Sequence, residues 1–317
     1  MKIELENEHL KSLQFWYNAA LEKLPEGEKE FHKMLIYGWH VDTYPEEDEL
    51  LSIFKSAEKN RDYPVMQQLF FTLNKKILSW KLGTGYDHCS EIYTMIPYLC
   101  CAEYDEIFRV FPSELPLSAN GHSMLVNSTA LLQCILYKGK YEEEKVIAKA
   151  EKYILSKNPK WDRAYVGCFL SIIKKDADML SENLQELCNN HTRQSICSFM
   201  KYHCQSAYGI LVFAKKNLPK EIFEKVKMPE HKTFDKGYME WVFNEQFVRQ
   251  SIYDYKAPFD EFNVVYEMPL PITMVYRPNQ NSDNKYLTSF QKKAYYLDVS
   301  AMNAQILDYV MECYLGS

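Results

Sequence analysis

LYKGKYEEE at residues 136–144 and IIKKDADML at residues 172–180 decide the fold. Each closes an apolar run on a basic turn and reopens it with acidic residues. That order of charge suits a helix C-terminus followed by a helix N-terminus. The two stretches lie 36 residues apart, close to the spacing of tetratricopeptide helix pairs. The small residues that define that repeat are mostly missing. The pattern therefore predicts an all-α protein of stacked antiparallel helical hairpins, tetratricopeptide-like but irregular, a solenoid or a bundle.

Working outward, residues 124–137 are apolar on two faces, which predicts a buried helix, and 141–156 carry a single inward stripe of Val146, Ile147, Ala150, Tyr153 and Ile154. Helices are expected over 162–173 and 177–188, then a long one over 193–215 and another over 237–253. Toward the N-terminus, apolar residues at three- and four-residue steps predict helices over 10–24, 50–57 and 65–82. A shorter one around Phe31, Met34 and Leu35 should end at Gly38. Two short helices should fill 90–111. The loop FPSELPLSANGHS, residues 111–123, holds two prolines and an Asn-Gly turn signal. It divides the chain into an N-terminal helical subdomain, 1–111, and a helical-hairpin domain, 112–317. Residues 254–287 interrupt that domain with four prolines and two β-favouring runs, NVVYEM and ITMVY, which predict an irregular excursion carrying a small β-hairpin.

The 317 residues hold 37 basic and 43 acidic side chains, a net charge of −6 that argues against general nucleic-acid binding by phosphate neutralisation. The charge is uneven. Residues 1–60 have 13 acidic against 7 basic side chains, whereas 138–232 have 18 basic against 12 acidic. No run of 18 apolar residues exists to span a membrane, and the start MKIELENEHLKSL lacks the apolar segment of a secretion signal. The nine scattered cysteines then read as reduced, buried small hydrophobes of a cytoplasmic protein.

No catalytic motif stands out. Gly83-Thr84-Gly85 has no strand before it and no Lys-Ser/Thr after it, so it is a helix stop and not a phosphate loop. Cys188, His191, Cys197, His203 and Cys204 cluster in sequence, but their spacing matches no familiar zinc pattern, and no metal or other cofactor is expected. Cys89 beside His88 at a helix start is the one local arrangement with the flavour of a reactive thiol. His122 reads as a cap for the buried helix that follows. Two stretches suit a protein partner. Glu46, Glu47, Asp48 and Glu49 follow Thr43 and Pro45 and load a helix N-terminus with charge, and a basic partner would meet them. Phe259, Asp260, Glu261 and Phe262 alternate aromatics with acids in the irregular stretch, a composition that suits a protein–protein contact.

Three stretches carry a family resemblance: LVNSTALLQCILY at 125–137, WDRAYVGCFLSIIKKDADMLSENLQEL at 161–187, and YHCQSAYGILVFAKKNLPKEIF at 202–223. The span from about 98 to 242 resembles the helical immunity proteins of bacterial polymorphic toxin systems, the group containing immunity family forty-nine and the PoNi-like proteins. The resemblance implies a non-enzymatic cytoplasmic antidote that binds a cognate toxin, a basic nuclease being one candidate, and occludes its active site. The alternative is a tetratricopeptide-like adaptor or regulator that takes a peptide or protein partner.

Overall fold

The computed structural model describes residues 7–42, 47–196, 198–244, 247–281 and 283–315. Among these it is all-α, with 17 helices and one two-stranded ribbon. In chain order the helices are α1 (Asn7–Leu21), α2 (Glu28–Val41), α3 (Glu47–Asn60), α4 (Tyr63–Ser79), α5 (Ile92–Tyr98) and α6 (Ile107–Val110). Next come α7 (Ser123–Leu136), α8 (Glu143–Ile154), α9 (Lys160–Lys174), α10 (Ala177–His191), α11 (Ser198–Tyr202) and α12 (Gln205–Asn217). The remainder are α13 (Lys220–Phe223), α14 (Lys236–Asn244), α15 (Glu261–Glu267), α16 (Ser289–Lys293) and α17 (Val299–Leu315). No described helix is long and apolar enough to cross a membrane.

The chain forms two compact units, each assembled from separate stretches. The first takes Met1–Leu82, Gln246–Ile272 and Val299–Ser317; the second takes Gly83–Glu245 and Thr273–Asp298. This differs from a division at residue 112. The proline-rich loop sits inside the second unit because two buried side chains bind it there. Asp87 accepts from Ser118 Oγ and from the backbone N–H groups of Ala119 and Asn120 at 2.8–2.9 Å. Gln133 of α7 donates Nε2 to the Pro116 carbonyl and accepts from Ser118 N. A loop whose backbone bonds end in its own unit cannot serve as a linker.

In the first unit α1 pairs with α2, α3 with α4, and α15 packs on α4 and α17. Trp39 anchors the core. Its ring stacks on Phe262 at 5.1 Å and meets Tyr266 edge-on, and its Nε1–H donates to the Tyr255 hydroxyl. Edge and offset geometry of this kind adds to the area each ring buries. Two buried polar groups find partners inside this core. The Lys75 ammonium donates to the Met268 carbonyl, and Asp42 accepts from Ser12 Oγ at 2.6 Å.

The second unit holds the hairpins expected from the sequence. α7 packs on α8 and α9, α9 on α10, and α12 on α5 and α9. The turn between α9 and α10 follows the residues of KKDAD closely. Lys175 takes a left-handed φ of +57°, and the Asp176 carboxylate caps α10 by accepting from Met179 N at 2.9 Å.

Three expectations need correction. NVVYEM is not a strand: α15 covers it, because Phe262, Val265 and Tyr266 recur at helical steps and all three are buried. Helical periodicity outweighs the β preference of two valines. ITMVY does supply a strand, β1 (Val275–Tyr276), but its antiparallel partner is β2 (Tyr296–Leu297), past the excursion. The helix expected over 193–215 is broken at His203–Cys204, where Cys204 N–H donates to the Thr233 carbonyl at 2.9 Å and α12 starts afresh. The break places Cys204 at a helix N-terminus.

Candidate functional site

The partner-binding residues expected from the sequence separate in the structure. Glu46 lies outside the described residues, as do Thr43 and Pro45. α3 opens at Glu47, so Glu47, Asp48 and Glu49 occupy its first turn. Phe259, Glu261 and Phe262 are buried and Asp260 alone is exposed. The alternation that reads as an exposed contact is instead an inward-facing one: Phe259 and Phe262 lie stacked at 6.3 Å. Glu261 reaches His32 of α2 at 2.5 Å. Burial raises the Glu261 carboxyl, with His32 pulling it back, and Glu261 in turn raises the His32 imidazole against the effect of burial. A short aromatic–acid motif cannot reveal on its own that its acid has a distant histidine to neutralise it.

The thiol beside His88 is not activated. Cys89 is buried, and burial together with the Asp87 carboxylate pushes its thiol up, away from the reactive range. His122 occupies the position before α7 but its side chain makes no capping bond.

The Cys/His cluster is where the chemistry concentrates. Among the described residues no three His, Cys, Asp or Glu side chains are placed to hold a metal ion, and Cys197 lies outside them. Cys188 from the last turns of α10, Cys204 before α12 and His191 do come together. Cys188 and Cys204 are fully buried, and interaction with Cys204 together with burial pushes the Cys188 thiol up. Cys204 moves the other way, to about 5. Donation from Cys188 is the largest cause, His191 adds to it, and an amide of the α12 start (Ala207) contributes, all against the effect of burial. His191 is raised by Cys204 despite its own burial, and its Nε2 lies 2.9 Å from the Met200 carbonyl. The three residues form a buried cluster at the N-terminus of α12. Beside it lies a cavity of about 30 Å³, lined by Tyr93, Trp161, His191, His203 and Gln205 among others. That is room for a molecule or two of water size. The sequence shows these residues as a cluster whose spacing fits no zinc pattern, and the helix break places Cys204 just before α12.

His203 and His40 are held neutral by burial. Burial lowers His203 to about 3, helped by the nearby His191 charge, and lowers His40 to about 4, helped by Lys76 and Lys81. Each gains a proton between those values and 6.5 only in the unfolded chain. Their contribution to stability is therefore intact above pH 6.5 and lost as pH falls below it, at about 1.4 kcal/mol per pH unit per histidine. Urea unfolding at pH 7 and pH 5 should show a loss of roughly 2 kcal/mol for each of the two. A His40→Gln or His203→Gln variant that loses as much stability as wild type across that range would show that the replaced ring is hydrated in the fold.

No family model, curated protein or solved structure matches the chain.

Proposed function

We propose that the chain is an immunity protein, which binds a cognate bacterial toxin one-to-one and neutralises it by covering its active site. One observation supports the reading most. The stretches that carry the family resemblance are α7, α9–α10 and α12–α13, and in the second unit α7 and α12 both pack on α9. The resemblance thus maps onto one continuous helical body and not onto scattered segments. A body of this kind offers rigid outward helix faces for a large interface, while its most perturbed thiol and imidazole stay inside. The acidic 1–60 segment suits a basic partner, and opposite charge speeds the encounter more than it deepens the affinity.

The test takes as candidate toxin the product of a gene found directly upstream of this one. Co-expression should restore growth of cells producing that toxin, and the purified pair should elute as a one-to-one complex. The association rate should fall about tenfold or more as salt rises from low to high ionic strength. Failure of both protection and complex formation would overturn the reading. A rate indifferent to salt would remove the electrostatic part alone.

A further inference from the structure

We propose that the first unit carries a binding site for a small zwitterion, an α-amino acid or a molecule with the same paired ammonium and carboxylate. The inference holds whether or not a toxin is the partner. The site is a cleft of about 280 Å³, formed by residues 249–254 and the last turns of α15. That volume lies at the small end of ligand cavities and suits a molecule of amino-acid size, not a nucleotide. The walls are fixed before any ligand arrives. Residues 248–252 have no regular structure, yet α4 holds them. Gln67 donates to the Val248 carbonyl, Gln68 donates to the Gln250 side chain at 3.1 Å, and the Thr72 hydroxyl accepts from Ile252 N–H at 2.8 Å. On the other side Asn263 of α15 grips Tyr255, accepting from its N–H at 3.1 Å and donating to its carbonyl at 2.7 Å. A stretch tied to two helices keeps its cleft in shape, so little of the ordering cost falls on the ligand.

The charges of the lining select the ligand. Among the described lining residues Arg249 is the cation, and Asp254 and Glu267 are the carboxylates. Arg249 and Asp254 are half-buried and Glu267 is exposed, over a buried lining of Ser251, Tyr253 and Tyr266. Lys256 meets Asp254 at 2.5 Å, whereas Glu267 has no ion-pair partner among the described residues. One guanidinium and one unpaired carboxylate on the same cleft are complementary to a ligand that carries one charge of each sign. A guanidinium has five N–H donors, so Arg249 can hold a neighbour and still offer paired donors to a ligand carboxylate. Glu267 accepts from the ammonium in a charge-assisted bond. A simple anion would bring its charge toward Glu267 and a simple cation toward Arg249, and like charge disfavours each.

Isothermal titration calorimetry of the full-length protein against each common L-amino acid, at up to about 10 mM, tests the site. At least one should bind saturably, and that ligand supplies the first control. Its N-acetyl derivative and its methyl ester each lack one charge, and each should bind about tenfold more weakly or worse. Arg249→Gln and Glu267→Gln should each lower the affinity for the parent amino acid by about tenfold or more. The derivative series needs no variant, so it decides the matter if a substitution unfolds the chain. Absence of saturable binding by every amino acid would overturn the proposal. So would equal binding of the acetylated or esterified compound, or an affinity unchanged by either substitution in a protein that melts like wild type.

Discussion

Replacing Asp87 with alanine is expected to destabilise the unit that contains it by about 4 kcal/mol or more, enough to unfold a marginally stable body. The carboxylate is buried and both of its oxygens are occupied. One oxygen accepts from Cys89 N–H at 2.8 Å and from the Ser118 hydroxyl, and the other accepts from the N–H groups of Ala119 and Asn120. Alanine removes four acceptor bonds at once and leaves three backbone donors, of which that of Cys89 is fully buried. Each orphaned buried donor costs about 1–3 kcal/mol, so the effect is set by the donors left behind and not by the lost charge. Asp62 gives the scale for comparison. It is exposed and caps α4 through one bond, to Val65 N–H at 3.3 Å, so Asp62→Ala should cost only about 1 kcal/mol. Urea unfolding of the two variants, with hydrogen exchange of the Ala119 and Asn120 amides, separates the cases. An Asp87→Ala protein within about 1 kcal/mol of wild type would mean that solvent reaches those amides.

Asp87 also marks the limit of what the sequence discloses. The helices of the second unit were legible because their signals are local: an apolar stripe, a basic turn, an acidic restart. Lys174, Lys175 and Asp176 place the α9–α10 turn within a residue or two. Asp87 was not legible as a staple, since its partners lie 31–33 residues away and nothing in Asp-His-Cys-Ser announces them. The same blindness misread the loop at 111–123. Prolines and an Asn-Gly pair report a break in helix, and a break in helix is not a break in the body when Asp87 and Gln133 fix both sides. At Phe259–Phe262 the alternation was visible but its direction was not, because burial there is decided by Trp39 and His32, more than 200 residues upstream. For the Cys/His cluster the sequence supplied the residues but not where the helix breaks, because the bond made there by Cys204 N–H goes to the Thr233 carbonyl, 29 positions away.

The second large effect concerns a position where the usual helix rule changes sign. Gly209 lies inside α12, where replacing an interior glycine with alanine ordinarily stabilises a helix by about 1 kcal/mol. Here a Cβ would stand 1.6 Å from the Ile96 carbonyl oxygen and 2.5 Å from its carbon. That neighbour is backbone of α5, held in place by α5's own hydrogen bonding, so no rotamer change can make room. The glycine is what lets α12 lie against α5 with the buried Tyr208, Ile210 and Leu211 around it. Gly209→Ala must push the two helices apart and open that seam, at a cost of about 3 kcal/mol or more, in the range of overpacking and lost burial combined. Gly83 is the control, since nothing lies within 4 Å of a Cβ built there. Gly83→Ala should be neutral or stabilising by a few tenths of a kcal/mol, through the unfolded chain alone. Opposite signs in the two thermal melts are the expected result. A Gly209→Ala protein as stable as wild type would show that α5 and α12 do not approach as closely as the Ile96 carbonyl requires.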